Sequence, residues 1–270
     1  MAHDFDRSYA DGPFRALCEN YPGETIYTGK DFRIEWGPIF HRGRLDGSAR
    51  LLVIGQDPAQ HETVVRRILV GEAGHRIQGF LAKLGIDRSY VMVNTYLYSV
   101  FGQGGGEKHR DDKKIAAYRN QWFKAILSTG KIDGVVALGS LASSAWEDWS
   151  TSADAPNPLP SFVHITHPTQ PEATAGQDAA KHAAAIRALL ENWNTGLEKL
   201  HPLPHPDHTT PLKPYGTSFK ADEKIPIPEL DMPAGTPDWM RLDDGWADRP
   251  GSGAKKRATI TVTVPSEALP

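Results

Sequence analysis

Over residues 1–200, short apolar runs alternate with longer helical patterns, and this alternation is what most constrains the fold. The four runs, at 51–54, 91–93, 135–138 and 162–165, have the length and composition of strands, and the first three are nearly unbroken apolar. Strands of this kind are buried on both faces, as in parallel sheets covered by helices. The order β-α-β-α-β-α-β-α therefore predicts an α/β fold, a three-layer αβα sandwich around a four-stranded, mainly parallel sheet.

Helices are predicted by apolar residues at intervals of three and four between and after these runs. The first pattern ends at Gly85, and the second begins after Asp112 and ends at Gly130. An Asp side chain caps the free N–H groups at a helix start, and Gly accommodates the backbone turn that ends a helix. A third pattern begins after Gly139, and a fourth runs through residues 186–200.

The composition changes sharply at His201, because residues 201–270 hold 12 of the 21 prolines. Proline removes a backbone donor and fixes φ, so this stretch is predicted to be an extended arm following an α/β domain at 1–200. Trp239, Trp246 and the alternating residues 259–264 are costly to leave in water. The arm is therefore expected to pack on the body or on a second subunit, in which case it could build a homo-oligomer.

Composition also excludes several classes of protein. The single cysteine, Cys18, cannot form a disulfide within the chain or a four-Cys iron–sulfur cluster, and we predict no cofactor and no metal. No run approaches the ~18 apolar residues of a membrane span, and the N-terminus lacks a secretory pattern, so a cytoplasmic protein without a membrane partner is expected. The net charge of -3 means that any nucleic-acid contact must depend on local basic patches.

Polar residues follow the predicted strands at the places where ligands bind to open parallel sheets, the carboxyl ends of the strands. Asp57 follows the first strand, Asn94 the second and His167 the fourth. A carboxylate can face developing positive charge or orient a water, an amide can recognise a planar base, and an imidazole can support a departing anion. These three groups together suit hydrolysis of a nucleobase N-glycosidic bond.

Each of the three residues also has a purely structural interpretation. Gly-x-Asp-Pro is a common turn, Asn often caps a strand end, and His before Pro is often a turn residue. Independent turns would not be expected to supply an acid, an amide and an imidazole at corresponding strand ends. The combination, rather than any single residue, indicates function.

Three short motifs resemble the uracil-DNA glycosylase superfamily. Residues 55–58, Gly-Gln-Asp-Pro, resemble motif A of the family 1 enzymes, which reads GQDPYH; Asn94 stands where those enzymes carry their uracil-reading Asn; and His-Pro-Thr at 167–169 resembles the start of motif B. The spacing of the motifs and the stretch 70–74 look more like family 4. The resemblance covers about residues 40–195 and is closest to bacterial glycosylases with Ala at the end of motif A.

The resemblance implies a role for each matching residue. Asp57 would orient the attacking water and stabilise the oxocarbenium-like sugar, and the backbone near Gln56 would hold the base carbonyl. Asn94 would pair with the uracil edge, and His167 would stabilise the leaving uracil anion. The target base would have to leave the stack to reach them. The sequence thus predicts a DNA glycosylase of base excision repair whose partner is uracil-containing DNA.

Three departures from the family pattern modify this prediction. Ala59 replaces the Tyr that excludes C5-substituted pyrimidines in family 1, so uracils with a polar C5 substituent should be tolerated. Leu69 is the best substitute for the aromatic ring that stacks on the base, which implies weaker base binding. No Leu wedge follows His167, so single-stranded DNA, which needs no unpairing, should be the preferred substrate.

Basic residues in two places are predicted to contact DNA. Lys108 and Arg110 follow three glycines, and a mobile basic loop of this kind can clamp phosphates; Arg76 belongs to a second patch. A related glycosylase-like group carries a His in the corresponding loop that bonds covalently to the abasic sugar, so His109 is a candidate for the same position. The structural alternatives are a solvated charged loop and surface ion pairs along a helix.

Three other functions remain open on the sequence alone. The first is a damage-binding protein that traps uracil or abasic DNA through His109 without turnover. The second is a small-molecule nucleoside or nucleotide-sugar hydrolase, which the acidic net charge favours. The third is a non-enzymatic nucleotide-binding module, supported only by the glycines within residues 71–74, which lack the spacing of a dinucleotide-binding loop.

Overall fold

The computed structural model describes residues 12–102, 105–201, 203–250 and 259–269. A central sheet of five strands is flanked by helices, which confirms the predicted α/β class. The strands of the chain are β1 (His41–Gly43), β2 (Leu51–Gly55), β3 (Tyr90–Asn94), β4 (Gly134–Leu138), β5 (Ser161–Ile165), β6 (Ala247–Asp248) and β7 (Thr261–Val262). The helices are α1 (Gly12–Glu19), α2 (Gln60–Val65), α3 (Glu72–Lys83), α4 (Lys113–Thr129), α5 (Ser140–Ser150), α6 (Gln170–Ala175), α7 (Ala179–Leu200) and α8 (Trp239–Leu242).

The central sheet has the strand order β1-β3-β2-β4-β5, and only β1 is antiparallel to its neighbour. The four parallel strands are those that the apolar runs predict. The predicted count of four was one too low, because the edge strand β1 has the sequence His-Arg-Gly and no apolar pattern. His41 and Arg42 are nevertheless buried, at 1% and 0% exposure. Arg42 reaches this burial by hydrogen-bonding internal acceptors, among them the Ile68 carbonyl at 2.9 Å.

Alternate side chains of the parallel strands enter two separate cores, one on each face of the sheet. On one face, Val135 and Ala137 pack against aromatic residues of α4 and α5 such as Trp122 and Trp146. On the other face, Leu51, Val53 and Val136 belong to a core with Phe80 of α3 and Trp193 of α7. Burial on both faces explains why these strands are almost wholly apolar.

The proline-rich arm lies against the body through several separate anchors. The Asp207 carboxylate accepts backbone N–H groups of residues 87, 88 and 89 at 2.8, 2.9 and 3.0 Å. Asp231 is paired with Arg42 at 3.0 Å, and the ring of Trp246 contacts that of His61 at 4.8 Å. The alternation at 259–264 contributes β7, which pairs with β6. The domain boundary at 200 and a homo-oligomer formed through the arm stay predictions.

Among the described residues, no helix is both long enough and apolar enough to cross a membrane.

Candidate active site at the carboxyl edge of the sheet

The carboxyl ends of β2, β3, β4 and β5 meet at one edge of the sheet. We call the residues that follow these ends the rim: 55–59, 94–100, 139–140 and 166–169. Gly55 stands opposite Asn94 in the sheet. The pairing continues beyond the strands, because Tyr96 donates its N–H to the Gln56 carbonyl at 2.9 Å. The segments that carry the predicted carboxylate and the predicted amide therefore run side by side.

Asp57 belongs to the rim and is partly exposed. Its Oδ2 accepts the Val100 backbone N–H at 2.9 Å. Burial raises the pKa of Asp57 to about 6, against the lowering effects of the Val100 N–H and of the Arg33 guanidinium, while the Glu62 carboxylate adds to the rise. At pH 7 the side chain is therefore mainly an ionised carboxylate in poorly solvating surroundings, which strengthens its interaction with a developing cation.

Gly55, Asn94 and Leu69 approach one another closely beside Asp57. A methyl group on Gly55 would lie 2.2 Å from Asn94 Oδ1 and 3.8 Å from Leu69 Cδ1. Only glycine leaves room for the amide at this point. Leu69 has a φ of 54°, unusual for a residue with a side chain, and is 6% exposed. The structure thus brings the predicted base-reading amide and the predicted base-contacting side chain together.

Glu62 connects the end of the segment 55–59 to the segment that carries Leu69. Its Oε2 accepts the Ala59 N–H at 3.0 Å, and its Oε1 accepts the Val70 N–H at 3.3 Å. Glu62 is 7% exposed, and Ala59 is partly exposed. We did not predict this role, although a Glu three residues after a helix N-cap is a known capping signal. Ala59 presents only a methyl group at the end of the segment 55–59.

His167 stands across the rim in a neutral form. Burial lowers its pKa to about 4, with a further lowering from Arg76 that the Glu172 carboxylate opposes. The Thr169 N–H and hydroxyl face its Nδ1 at 3.4 and 3.3 Å. Because the Thr169 N–H can only donate, Nδ1 acts as acceptor and the ring proton belongs on Nε2. Nε2–H can then donate to an anion in the site.

A protein-family model of the uracil DNA glycosylase superfamily matches residues 42–213. The chain belongs to this superfamily. The matched region contains Asp57, Asn94 and His167, and it extends into the first part of the arm, to residue 213. No curated protein matches the chain at a significant level.

Arg76 of this superfamily member lies inside the protein, 3% exposed, instead of facing solvent as a phosphate ligand would. Its guanidinium donates to the Pro168 carbonyl and is paired with Glu172 at 2.7 Å and with Glu72. Pro168 follows His167 directly, so these contacts attach the His167 loop to α3. In the structure Arg76 thus holds the His167 loop, and a contact of Arg76 with DNA stays a prediction.

The basic loop of this superfamily member is attached to an acidic side chain near the N-terminal segment. Asp31 is paired with Lys108 and with His109 Nε2, the latter at 3.0 Å, and the His109 ring packs 4.8 Å from that of Phe32. Arg110 is paired with Glu107. Lys108 remains about half exposed. The position of His109 is thus set by Asp31, and its entry into the site and the phosphate contacts of the loop stay predictions.

Proposed function

We propose that the protein is a cytoplasmic uracil-DNA glycosylase that hydrolyses the N-glycosidic bond of uracil in DNA as the first step of base excision repair. The observation that carries this proposal is the rim itself. It combines a partly buried, ionised carboxylate, Asp57, with a reading amide, Asn94, and a neutral imidazole, His167. Membership of the superfamily supports the same activity.

The proposed reaction separates charge, and each rim group meets one of the charges. As the bond between C1′ and N1 breaks, its electron pair moves onto the uracil ring, where His167 Nε2–H and the Asn94 amide stabilise the anion. The sugar becomes oxocarbenium-like, and the Asp57 carboxylate stabilises it as glycosidase carboxylates do. Water then adds to C1′, and its proton passes to the carboxylate or to solvent.

The proposed substrate preference follows from two bulky side chains that the rim lacks, one beside C5 of the base and one in the His167 loop. The methyl group of Ala59 leaves room beside C5 of the pyrimidine, and the His167 loop continues as Thr169-Gln170-Pro171 without a bulky apolar wedge. We therefore propose that the enzyme accepts uracils with a polar C5 substituent. We also propose that it prefers single-stranded DNA, where exposing the base costs least.

The proposed function is tested by incubating the protein with a labelled single-stranded oligonucleotide that contains one uracil. EDTA is present, because the proposed chemistry uses side chains alone. Alkali should then break the strand at the uracil, whereas the same oligonucleotide with thymine at that position should stay intact. A duplex of the uracil strand should be processed more slowly; equal rates would contradict the proposed strand preference.

Two other outcomes would replace the proposal. A protein–DNA adduct that survives denaturation, without strand breaks, would identify a trapping protein; in that case His109→Ala should abolish the adduct. If neither strand breaks nor adduct form but free deoxyuridine is hydrolysed, the rim serves a nucleoside hydrolase.

We predict that Ala59→Tyr narrows the substrate range. The ring should fill the space beside C5 and lower excision of 5-hydroxymethyluracil about tenfold or more relative to uracil, since steric exclusion of a small group is worth ~1–3 kcal/mol. The measurement is the ratio of the two kcat/KM values on single strands. Ala59→Ser, which stays small, is the control and should keep the wild-type ratio. An unchanged ratio in Ala59→Tyr would show that another residue covers C5.

A further inference from the structure

Arg33 occupies an unusual place close to Asp57. The residue is 1% exposed, and its guanidinium lies between the rings of Trp36 and Phe101, 4.7 and 4.6 Å from their centroids. Two aromatic faces of this kind hold a cation and limit its rotation. A planar arginine thus has a fixed orientation at the edge of the candidate active site.

The guanidinium is directed at the backbone segment that carries the Asp57 hydrogen bond. Arg33 Nη1 donates to Ser99 Oγ at 2.8 Å and to the Val100 carbonyl, and the Arg33 N–H donates to the Ser99 carbonyl at 2.8 Å. The next link is the Val100 N–H, which donates to Asp57 Oδ2 at 2.9 Å. Arg33 is therefore connected to the carboxylate through one residue.

Several other charged or titratable groups face the same carboxylate. Glu62 raises the pKa of Asp57, whereas Arg33 lowers it, and the Gln56 side chain donates a hydrogen bond. The Tyr96 phenol donates to the Gly106 carbonyl at 2.7 Å, and burial raises its pKa, so it stays neutral. Arg33 thus supplies a positive charge that, after the Val100 N–H, partly opposes the effects of burial and of Glu62 on the pKa of Asp57.

We propose that Arg33 is a positioning residue for the Asp57 carboxylate, which it acts on by fixing residues 99–100 and by supplying a positive charge. The proposal rests on the glycosylase function proposed above. It assigns to one buried arginine both the orientation of the carboxylate and its readiness to act at neutral pH. Residues with this role hold a reacting group within about 0.5 Å of its productive position.

The first test compares Arg33→Met with Arg33→Lys in single-turnover excision from uracil-containing single strands. Arg33→Met should lower the rate at pH 7 about 10²-fold, the size of effect expected when a reacting group is misplaced, without weakening DNA binding. The acid limb of its pH–rate profile should move up by about one pH unit, as loss of an opposite charge requires. Arg33→Lys keeps the charge but not the two-acceptor geometry, so its rate should fall while the limb stays in place.

Arg119→Met is the matched control. Arg119 is 5% exposed and lies 5.8 Å from the Phe123 ring, and its guanidinium donates to Asn120 Oδ1, whereas that of Arg33 donates to Ser99 and Val100. It should leave the acid limb unchanged. If Arg33→Met proves unable to fold, Ser99→Ala provides the milder variant, which removes one acceptor of Arg33 and should lower the rate about tenfold.

A second readout separates this proposal from the function on which it rests. The pKa of Asp57 can be followed by ¹³C NMR of carboxyl-labelled aspartate, with Asp57→Asn to assign the signal, and this needs no turnover. The pKa should rise in Arg33→Met and stay near the wild-type value in Arg33→Lys and Arg119→Met. An unchanged pKa and acid limb in Arg33→Met would overturn the role of Arg33, even if uracil excision is real. A shifted pKa in a protein that excises no uracil would overturn the function alone.

Discussion

Asp57→Asn is expected to lower uracil excision about 1,000-fold or more and, at the same time, to make the protein more stable at pH 7. The amide keeps an oxygen that can accept the Val100 N–H, so the local geometry should persist. It cannot stabilise the oxocarbenium-like sugar by charge or accept a proton from water. The loss should appear in kcat rather than in DNA affinity, because the carboxylate acts on charge that develops only in the transition state.

The gain in stability follows from the raised pKa of Asp57. Burial moves it from 3.8 to about 6, so the folded protein keeps this proton at pH values where the unfolded chain has lost it. The contribution of Asp57 to the free energy of unfolding therefore falls as pH rises from about 4 to about 6, and at pH 7 the ionised side chain costs stability. Since the group is partly exposed, removing its charge should add about 1 to 2 kcal/mol at pH 7 and almost nothing near pH 3.5.

Thermal unfolding at pH 7 and about pH 3.5 tests the expected gain in stability, and single-turnover kinetics test the expected loss of activity. Asp154→Asn is the control, since Asp154 is about half exposed and paired with Lys124 at the surface. It should change neither the rate nor the stability appreciably. An Asp57→Asn variant with the wild-type rate would place the chemistry on another group. A variant that loses activity and also loses stability would mean that the carboxylate is needed for folding.

The parallel strands, and the position of three polar residues at one edge of the sheet, could be predicted from the sequence because both depend on local pattern. A strand buried on both faces must be apolar, and residues that follow parallel strands must share an edge. The strand β1 was not predicted, because its burial depends on hydrogen bonds that Arg42 donates, and these leave no periodic pattern in the sequence. The role of Arg33 was not predicted for a similar reason: its acceptors on Ser99 and Val100 lie 66 and 67 positions away along the chain.

Arg76 shows how the same limit affects the predicted environment of a single side chain. Surface exposure of an arginine on a helix is the usual outcome, and the i,i+4 pair with Glu72 is of the kind foreseen for it. Its burial depends on Glu172, 96 positions away, and on the Pro168 carbonyl. Long-range pairs of this type decide whether a cationic side chain is exposed or buried, and one sequence alone does not reveal them.

The ion pair between Asp231 and Arg42 joins two distant parts of the sequence and holds the arm on the body. Asp231→Ala is therefore the substitution with the largest expected cost in stability. The Asp231 side chain is 1% exposed and is bonded to Arg42 at 3.0 Å, to Arg44 and to the Tyr90 hydroxyl. Its removal would leave the fully buried Arg42 guanidinium without its carboxylate. Breaking a buried ion pair from one side costs about 3–5 kcal/mol, because the remaining charge stays desolvated.

The effect should extend to the candidate active site through Arg42 and the arm. Arg42 Nε donates to the Ile68 carbonyl, next to Leu69, and the arm residues Ile227 and Trp246 share a small core with Val70. Asp231→Ala should therefore expose the arm to limited proteolysis, and it should weaken base binding more than it slows the bond-breaking step. KM for uracil-containing strands should rise while kcat stays within about twofold, as expected when uniform binding is lost.

Urea unfolding of single and double variants distinguishes the ion pair from other losses in the arm. If the unpaired cation causes the instability, Arg42→Met combined with Asp231→Ala should be less destabilised than the sum of the two single variants, by about 1–3 kcal/mol. Asp238→Ala is the matched control in the same arm, because Asp238 is 69% exposed in its pair with Arg241 and should contribute under about 1 kcal/mol. Equal costs for Asp231→Ala and Asp238→Ala would mean that the apolar contacts of Ile227 and Trp246, rather than the buried ion pair, hold the arm on the body.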